Sequence, residues 1–181
     1  MKMEKLIFIS LVFLLSSNSF RIDGHKKSVI DLINAAHQNR AALKNEYHSY
    51  DNRVYEIRKK AVRLFGIENL IDTSKIKKFI VMDVVSFEGG NSIYGEMVIN
   101  DTSKFFYKTP FLSKVVQKYS SPIESEQVIL EYLTAHRFNE LETLAREKGK
   151  KLSGSNFIYI GMYQKGMDSM YVQLLPAFMM N

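Results

Sequence analysis

Between residues 26 and 65 the apolar positions recur at alternating spacings of three and four. One set is Val29, Ala36, Leu43, Tyr50, Ile57 and Leu64; the other is Ile33, Arg40, Tyr47, Val54 and Ala61, with Arg40 the single offender. This is the period of a helix with one apolar stripe, and in its regularity it follows a heptad. No proline or glycine interrupts it. Unbroken, such a helix would reach about 60 Å, which is long for a small domain. Ser49, Tyr50, Asp51 and Asn52 mark a place to break it, because their side chains compete for backbone hydrogen bonds. Gly66 is the expected stop.

From residue 78 the period changes to that of strands. A β-branched and apolar run over 79–87 is followed by a turn at 88–92, a second strand at 93–99, a turn at 100–103 and a third strand at 105–108, a pattern that predicts an antiparallel meander. Thr109 and Pro110 then open a predicted short helix with Phe111, Leu112, Val115, Val116 and Tyr119 on one side. Ser121, Pro122 and Glu124 have the spacing of a capping box with proline at the first helical position. The helix they start is expected to run to Gly149, with an irregularity at 136–139 where the apolar phase slips. Segment 149–155, with Lys150, Lys151 and Gly154, reads as the most mobile loop, and 157–163 with 170–175 as a closing hairpin. Segregated helices and hairpins predict an α+β fold: a long N-terminal helix and an antiparallel sheet of about five strands with helices on one face.

The first nineteen residues have a different layout. Two lysines and a glutamate precede a ten-residue apolar run, 6–15, broken only by Ser10 and followed by Ser16, Ser17, Asn18 and Ser19. That is the plan of a secretory signal, and the run is shorter than the roughly 20 residues a bilayer span needs. The expectation is a signal peptide at 1–19, one globular domain at 20–181, no transmembrane span after cleavage, and export to a bacterial periplasm or the exterior.

Composition then removes whole classes of chemistry. The 181 residues include no cysteine, which excludes disulfides, thiol nucleophiles, Cys-ligated zinc and iron–sulfur clusters. Among the rest, no His-Glu-x-x-His, Gly-x-Ser-x-Gly or phosphate loop occurs. His37 and His48 would stand about 16 Å apart on a continuous helix, too far to share a metal; His25 and His136 have no ligand spacing either. No cofactor and no metal are expected. Asn100-Asp101-Thr102 is the one glycosylation triplet.

One carboxylate pair remains. Centring the first hairpin on Gly90 and Asn91 sets Val85 opposite Glu96 and Asp83 opposite Val98, which gathers Asp83, Glu96, Tyr94 and Phe87 on one face. Asp83 and Glu96 would then be diagonal neighbours about 7 Å apart. Such a pair can work as acid and base in glycoside cleavage, hold a hard cation, or simply solvate an outer sheet face. Strand alternation also groups Phe157, Tyr159, Gly161 and Tyr163, a row able to stack on sugar rings or a partner, or to pack beneath a helix.

Charge is uneven. Residues 21–78 carry 13 Lys or Arg against 7 Asp or Glu, whereas 79–111 carry 2 against 4. Arg53, Arg58, Lys59, Lys60, Arg63, Lys77 and Lys78 are therefore the candidate binding residues, facing another protein or an anionic envelope component, or solvent alone. Nucleic acid is disfavoured because an exported chain rarely meets it. The apolar stripe also permits a homodimer through the N-terminal helix. The reading that follows is an exported, non-enzymatic binding or envelope accessory protein. The alternatives are a small hydrolase using Asp83 and Glu96 with Tyr94, and an inhibitor or immunity-type protein with an acidic hairpin.

Overall fold

The computed structural model describes residues 28–41, 48–68, 75–86, 92–110, 113, 115–122, 126–149, 157–167 and 170–177. The signal segment, His25, residues 88–91 of the first hairpin's turn and the 150–155 part of the expected mobile loop lie outside them.

Helix α1, Val29–Ala41, opens on a capping box: the Ser28 hydroxyl oxygen accepts from the Asp31 amide at 3.2 Å while Asp31 accepts from the Ser28 amide at 2.7 Å. Helix α2 is His48–Phe65. The expected long helix is thus described as two, on either side of residues 42–47, and the stretch 49–52 at which a break was expected lies inside α2. Asn34 and Tyr55 would be about 30 Å apart on one continuous helix. Instead the Tyr55 hydroxyl donates to Asn34 at 2.6 Å and its ring stacks on His37 at 4.2 Å, so α1 and α2 lie side by side. Gly66, at φ 65°, ends α2 as expected: the amides of Gly66 and Ile67 donate to the carbonyls of Arg63 and Val62, which satisfies the last turn.

The strands are β1 Lys78–Ser86, β2 Ser92–Ile99, β3 Ser103–Pro110, β4 Gln117–Tyr119, β5 Phe157–Gln164 and β6 Tyr171–Pro176. All pair antiparallel in one sheet of order β4-β3-β2-β1-β5-β6. Helices α3, Glu126–Thr134, and α4, Phe138–Gly149, fill the connection between β4 and β5. The fold is α+β, with six strands rather than five. The extra strand is β4, which replaces the helix expected after Pro110: β3 runs two residues past Lys108, and 117–119 pairs back onto it. α3 begins at Glu126, beyond the Ser121 and Pro122 at which the capping-box reading had started it. The irregularity expected at 136–139 is the break between α3 and α4, where His136 takes φ 55°.

Both faces of the sheet are covered, where one had been expected. On the first face Val29, Ile33, Ala36, Val54, Ile57 and Ala61 of the helical stripe pack against Phe79, Val81, Val85, Ile93, Met97 and Tyr159. Among the described residues the stripe is therefore spent within the domain, although Leu64 at its end is exposed. On the second face Ile129, Leu133, Leu141 and Ala145 of α3 and α4 pack on Ile80, Met82, Val98, Ile158, Ile160 and Met162.

The first hairpin has another register from the one its turn residues implied. Asp83 pairs with Gly95 and Met82 with Glu96. The offset is odd in residue number, so every β2 side chain changes face relative to the expectation. The earlier register rested on one polar face and one apolar face. With both faces buried, polarity does not choose between registers, and a continuous apolar run such as that of β1 is what a doubly covered strand looks like.

Candidate functional site

Asp83 and Glu96 are both buried, on opposite faces of the sheet. They do not form the diagonal pair, and each belongs to a separate cluster.

Asp83 sits in a row across the first face formed by Tyr107 of β3, Gly95 of β2, Asp83 of β1 and Tyr159 of β5. Gly95 lets the Tyr107 ring cross over it: a Cβ there would stand 2.0 Å from the ring. The Tyr107 hydroxyl thereby reaches Asp83 and donates to it at 2.5 Å, while Arg58 of α2 donates to the other carboxylate oxygen. Arg58, Asp83 and Tyr107 are all buried. Burial raises the Asp83 carboxyl above its ordinary pKa against the opposing pull of Arg58 and Tyr107. Burial, with Asp83 next, pushes the Tyr107 hydroxyl up. On Arg58 burial is the largest influence and opposes the charge, but Asp83 together with Tyr107 and Tyr159 outweighs it and the pKa is raised. This network ties α2 to the middle of the sheet and is sealed from solvent.

Glu96 faces the other way. Across the second face its neighbours are Met82 on β1 and Phe106 on β3, and Phe106 in turn pairs with Tyr119 of β4. Its carboxyl is acted on by Glu126, in the first turn of α3, and by Lys104 of β3. Lys104 Nζ donates to Glu126. With both carboxyls ionised no proton lies between them, and neither Glu96 oxygen has a hydrogen-bond partner among the described residues. Burial first, and Glu126 second, push the Glu96 pKa up to about 8. At neutral pH Glu96 therefore keeps a proton that it can donate to Glu126. Lys104 is raised as well, chiefly by its hydrogen bond to Glu126.

Lys104 and Glu126 also line an open groove of about 810 Å³ together with Gln127, Leu130, Glu131 and Arg137. Beside them on the same face stand Tyr94, Phe106, Lys108 and Tyr119, all half-buried. The Tyr94 and Tyr119 rings are 5.6 Å apart, and Lys108 Nζ lies 4.9 Å from the Tyr119 ring centre. Among the described residues none of these three rings belongs to the core beneath α3 and α4, so they form a separate, half-buried aromatic cluster on this half of the face.

The basic residues divide. Arg58 is buried against Asp83, and Lys78 is buried with Asp101 at 2.8 Å and Thr134 at 2.7 Å. Lys59 pairs with Glu56, Arg63 with Glu68, and Arg53 donates to the Ser113 carbonyl at 3.3 Å. Lys60 is half-buried and Lys77 exposed. Of the seven, Arg58 and Lys78 are thus spent in buried pairs, and Lys59 and Arg63 in pairs at the surface. The row Phe157, Tyr159, Gly161 and Tyr163 shares a face as expected and lies beneath α1 and α2. The Asn100 amide, the glycan acceptor in the triplet, donates to the Lys75 carbonyl while its oxygen accepts from Lys77 and Lys78.

Tyr94 and Glu96 were legible from sequence; Lys104, Phe106, Lys108, Tyr119 and Glu126 were not. The alternation of Lys104, Phe106 and Lys108 was the available signal, since it places all three on one face. Among the described residues no cluster of three or more acidic or histidine side chains could hold a metal, and no helix is long and apolar enough to cross a membrane. Comparison with protein-family models, curated proteins and solved structures gives no match.

Proposed function

We propose that the chain works outside the cytoplasm as a non-enzymatic binding protein of the cell envelope. Its contact surface in this reading is the open part of the second sheet face, and its occupant is a polysaccharide strand that carries acidic groups. The observation in support is the set of three neighbouring rings, Tyr94, Phe106 and Tyr119, left half-exposed beside Lys108 where α3 and α4 do not reach. Aromatic faces offer apolar area at little conformational cost, and an adjacent ammonium attracts an anionic partner. The hydrolase reading loses its premise, because Asp83 and Glu96 share no face.

Co-sedimentation of the mature chain with purified acidic cell-wall polysaccharide tests this. Binding is expected to weaken about tenfold or more in a Tyr94→Ala/Tyr119→Ala variant and to fall as salt rises. Equal binding by that variant, or tighter binding to single-stranded DNA than to the polysaccharide, overturns it. The exported form should begin after Ser19, which intact mass measurement reads directly.

A further inference from the structure

We propose that the outer edge of β6 docks a second copy of this chain, which joins through its own β6 in antiparallel pairing about a two-fold axis at Gln173. This edge lies at the opposite end of the sheet from β4 and Tyr119, so its occupancy does not depend on the polysaccharide reading.

The two ends of the sheet are built differently. β4 has three residues, of which Gln117 and Lys118 are exposed, and Pro122 follows shortly after. Shortness, a lysine and a nearby proline guard an edge against further pairing. β6 has no such guard. Tyr171–Pro176 contains no charged residue, and its proline comes last. It pairs with β5 residue for residue, from Met162 with Tyr171 to Phe157 with Pro176, so no bulge turns the edge away. Among the described residues no strand lies beyond β6, and its backbone makes no backbone hydrogen bond outside the sheet. A regular row of outward amides and carbonyls is matched in register by another extended chain. Helices cover the faces of β6 and leave its rim: Val172 and Leu174 pack on the core beneath α1 and α2, and Tyr171 stacks on Phe138 of α4 at 4.1 Å. All three remain half-buried, apolar area that an added strand would cover.

The side chains of the edge fit a copy of themselves. Alternation puts Val172 and Leu174 on the first face and Tyr171, Gln173 and Leu175 on the second. Opposed residues of an antiparallel pair share a face, so a second β6 can join only with residues of like parity opposite one another. Centring on Gln173 sets Val172 opposite the copy's Leu174, Tyr171 opposite its Leu175, and Gln173 opposite itself. Apolar then meets apolar and amide meets amide. Centring on Val172 or Leu174 would put Gln173 opposite Tyr171 or Leu175 instead. The contact is isologous and closed, and two sheets of six strands become one of twelve, with each helical layer continuing on its own side.

The chain has no cysteine, so a single introduced thiol reports on its own copy. Opposed Cα atoms stand about 4.5–5.5 Å apart in an antiparallel pair, within disulfide range. Under mild oxidation Gln173→Cys is expected to cross-link into a covalent dimer, while Gln117→Cys on β4 stays monomeric. Sedimentation equilibrium of the unaltered mature chain should give about twice the monomer mass at high concentration, with the weak association of a small contact. Gln173→Lys and Gln173→Glu set like charges opposite each other, so each alone should sediment as a monomer and an equimolar mixture should regain the dimer. The cysteine comparison decides the matter if either charged variant fails to fold. A monomeric mass for the unaltered chain at every concentration, the result expected if its own residues 20–27 or 178–181 cover the edge, overturns the proposal. So does cross-linking of Gln173→Cys no faster than that of Gln117→Cys, or a mixture of folded charged variants that stays monomeric.

Discussion

Single residues decide where the two acids of the first hairpin end up. Asp83 is held by Arg58 and Tyr107, and the geometry works only because position 95 is glycine. Removing one member of a buried ion pair leaves an uncompensated charge, which costs about 3–5 kcal/mol. Arg58→Met should therefore lower stability by roughly that amount in chemical denaturation. Arg58→Met/Asp83→Leu should recover much of the loss, because replacing both partners removes the orphan charge. Composition alone made Arg58 look like one of a patch of surface cations. What hid its role was the separation between Arg58 and Asp83, 25 positions that no local period connects. Gly95, in the middle of an apolar strand, was the readable sign that something crosses closely over the backbone.

At the scale of elements, periods read well and boundaries between packed pieces read poorly. The helical stripe was correct in phase: Val29, Ile33, Ala36, Val54, Ile57 and Ala61 all enter the core. Its division was not placed correctly, since a helix that folds back on itself keeps the same local pattern as one that runs straight. β4 was hidden for a related reason: three residues at a sheet edge are too few to show alternation. The break between α3 and α4 was legible as a phase slip. There the amides of His136 and Arg137 donate to Leu133 and Tyr132, the closing pattern of a helix terminus, with His136 in the left-handed conformation that suits glycine. A side chain pays about 1 kcal/mol to sit there. His136→Gly is expected to raise stability by about that much, a rise of a few degrees in Tm.

For the whole molecule, two covered faces explain both the success and the failure of the sequence reading. The α+β class followed from the order of periods, but the register of the first hairpin did not, because each choice buries apolar side chains on both sides. The same double burial places Glu96 in the core and gives the protein a pH dependence. Its folded pKa is raised to about 8 from an ordinary 4.5. The folded state thus holds a proton that the unfolded chain releases. The resulting stability is complete below the unfolded value and is lost as pH rises through the folded one. Tm should decline by a few degrees between about pH 5 and pH 8. Asp83, also raised, acts in the same direction, so the informative comparison is Glu96→Gln, in which the decline should be visibly shallower. An equal slope in that variant would assign the effect elsewhere.

The central place of β1 has a consequence for how the chain assembles. One of its edges is filled at once by the neighbouring β2, but the other waits for β5, so that Val85 must find Phe157 across the whole of β2, β3, β4, α3 and α4. Contacts so distant in sequence close late and slow folding. Until they close, β1 presents a bare apolar edge of the kind that recruits other chains. A chain that emerges N-terminus first during synthesis passes through that stage each time it is made. Its hazard period ends only when the last hairpin arrives.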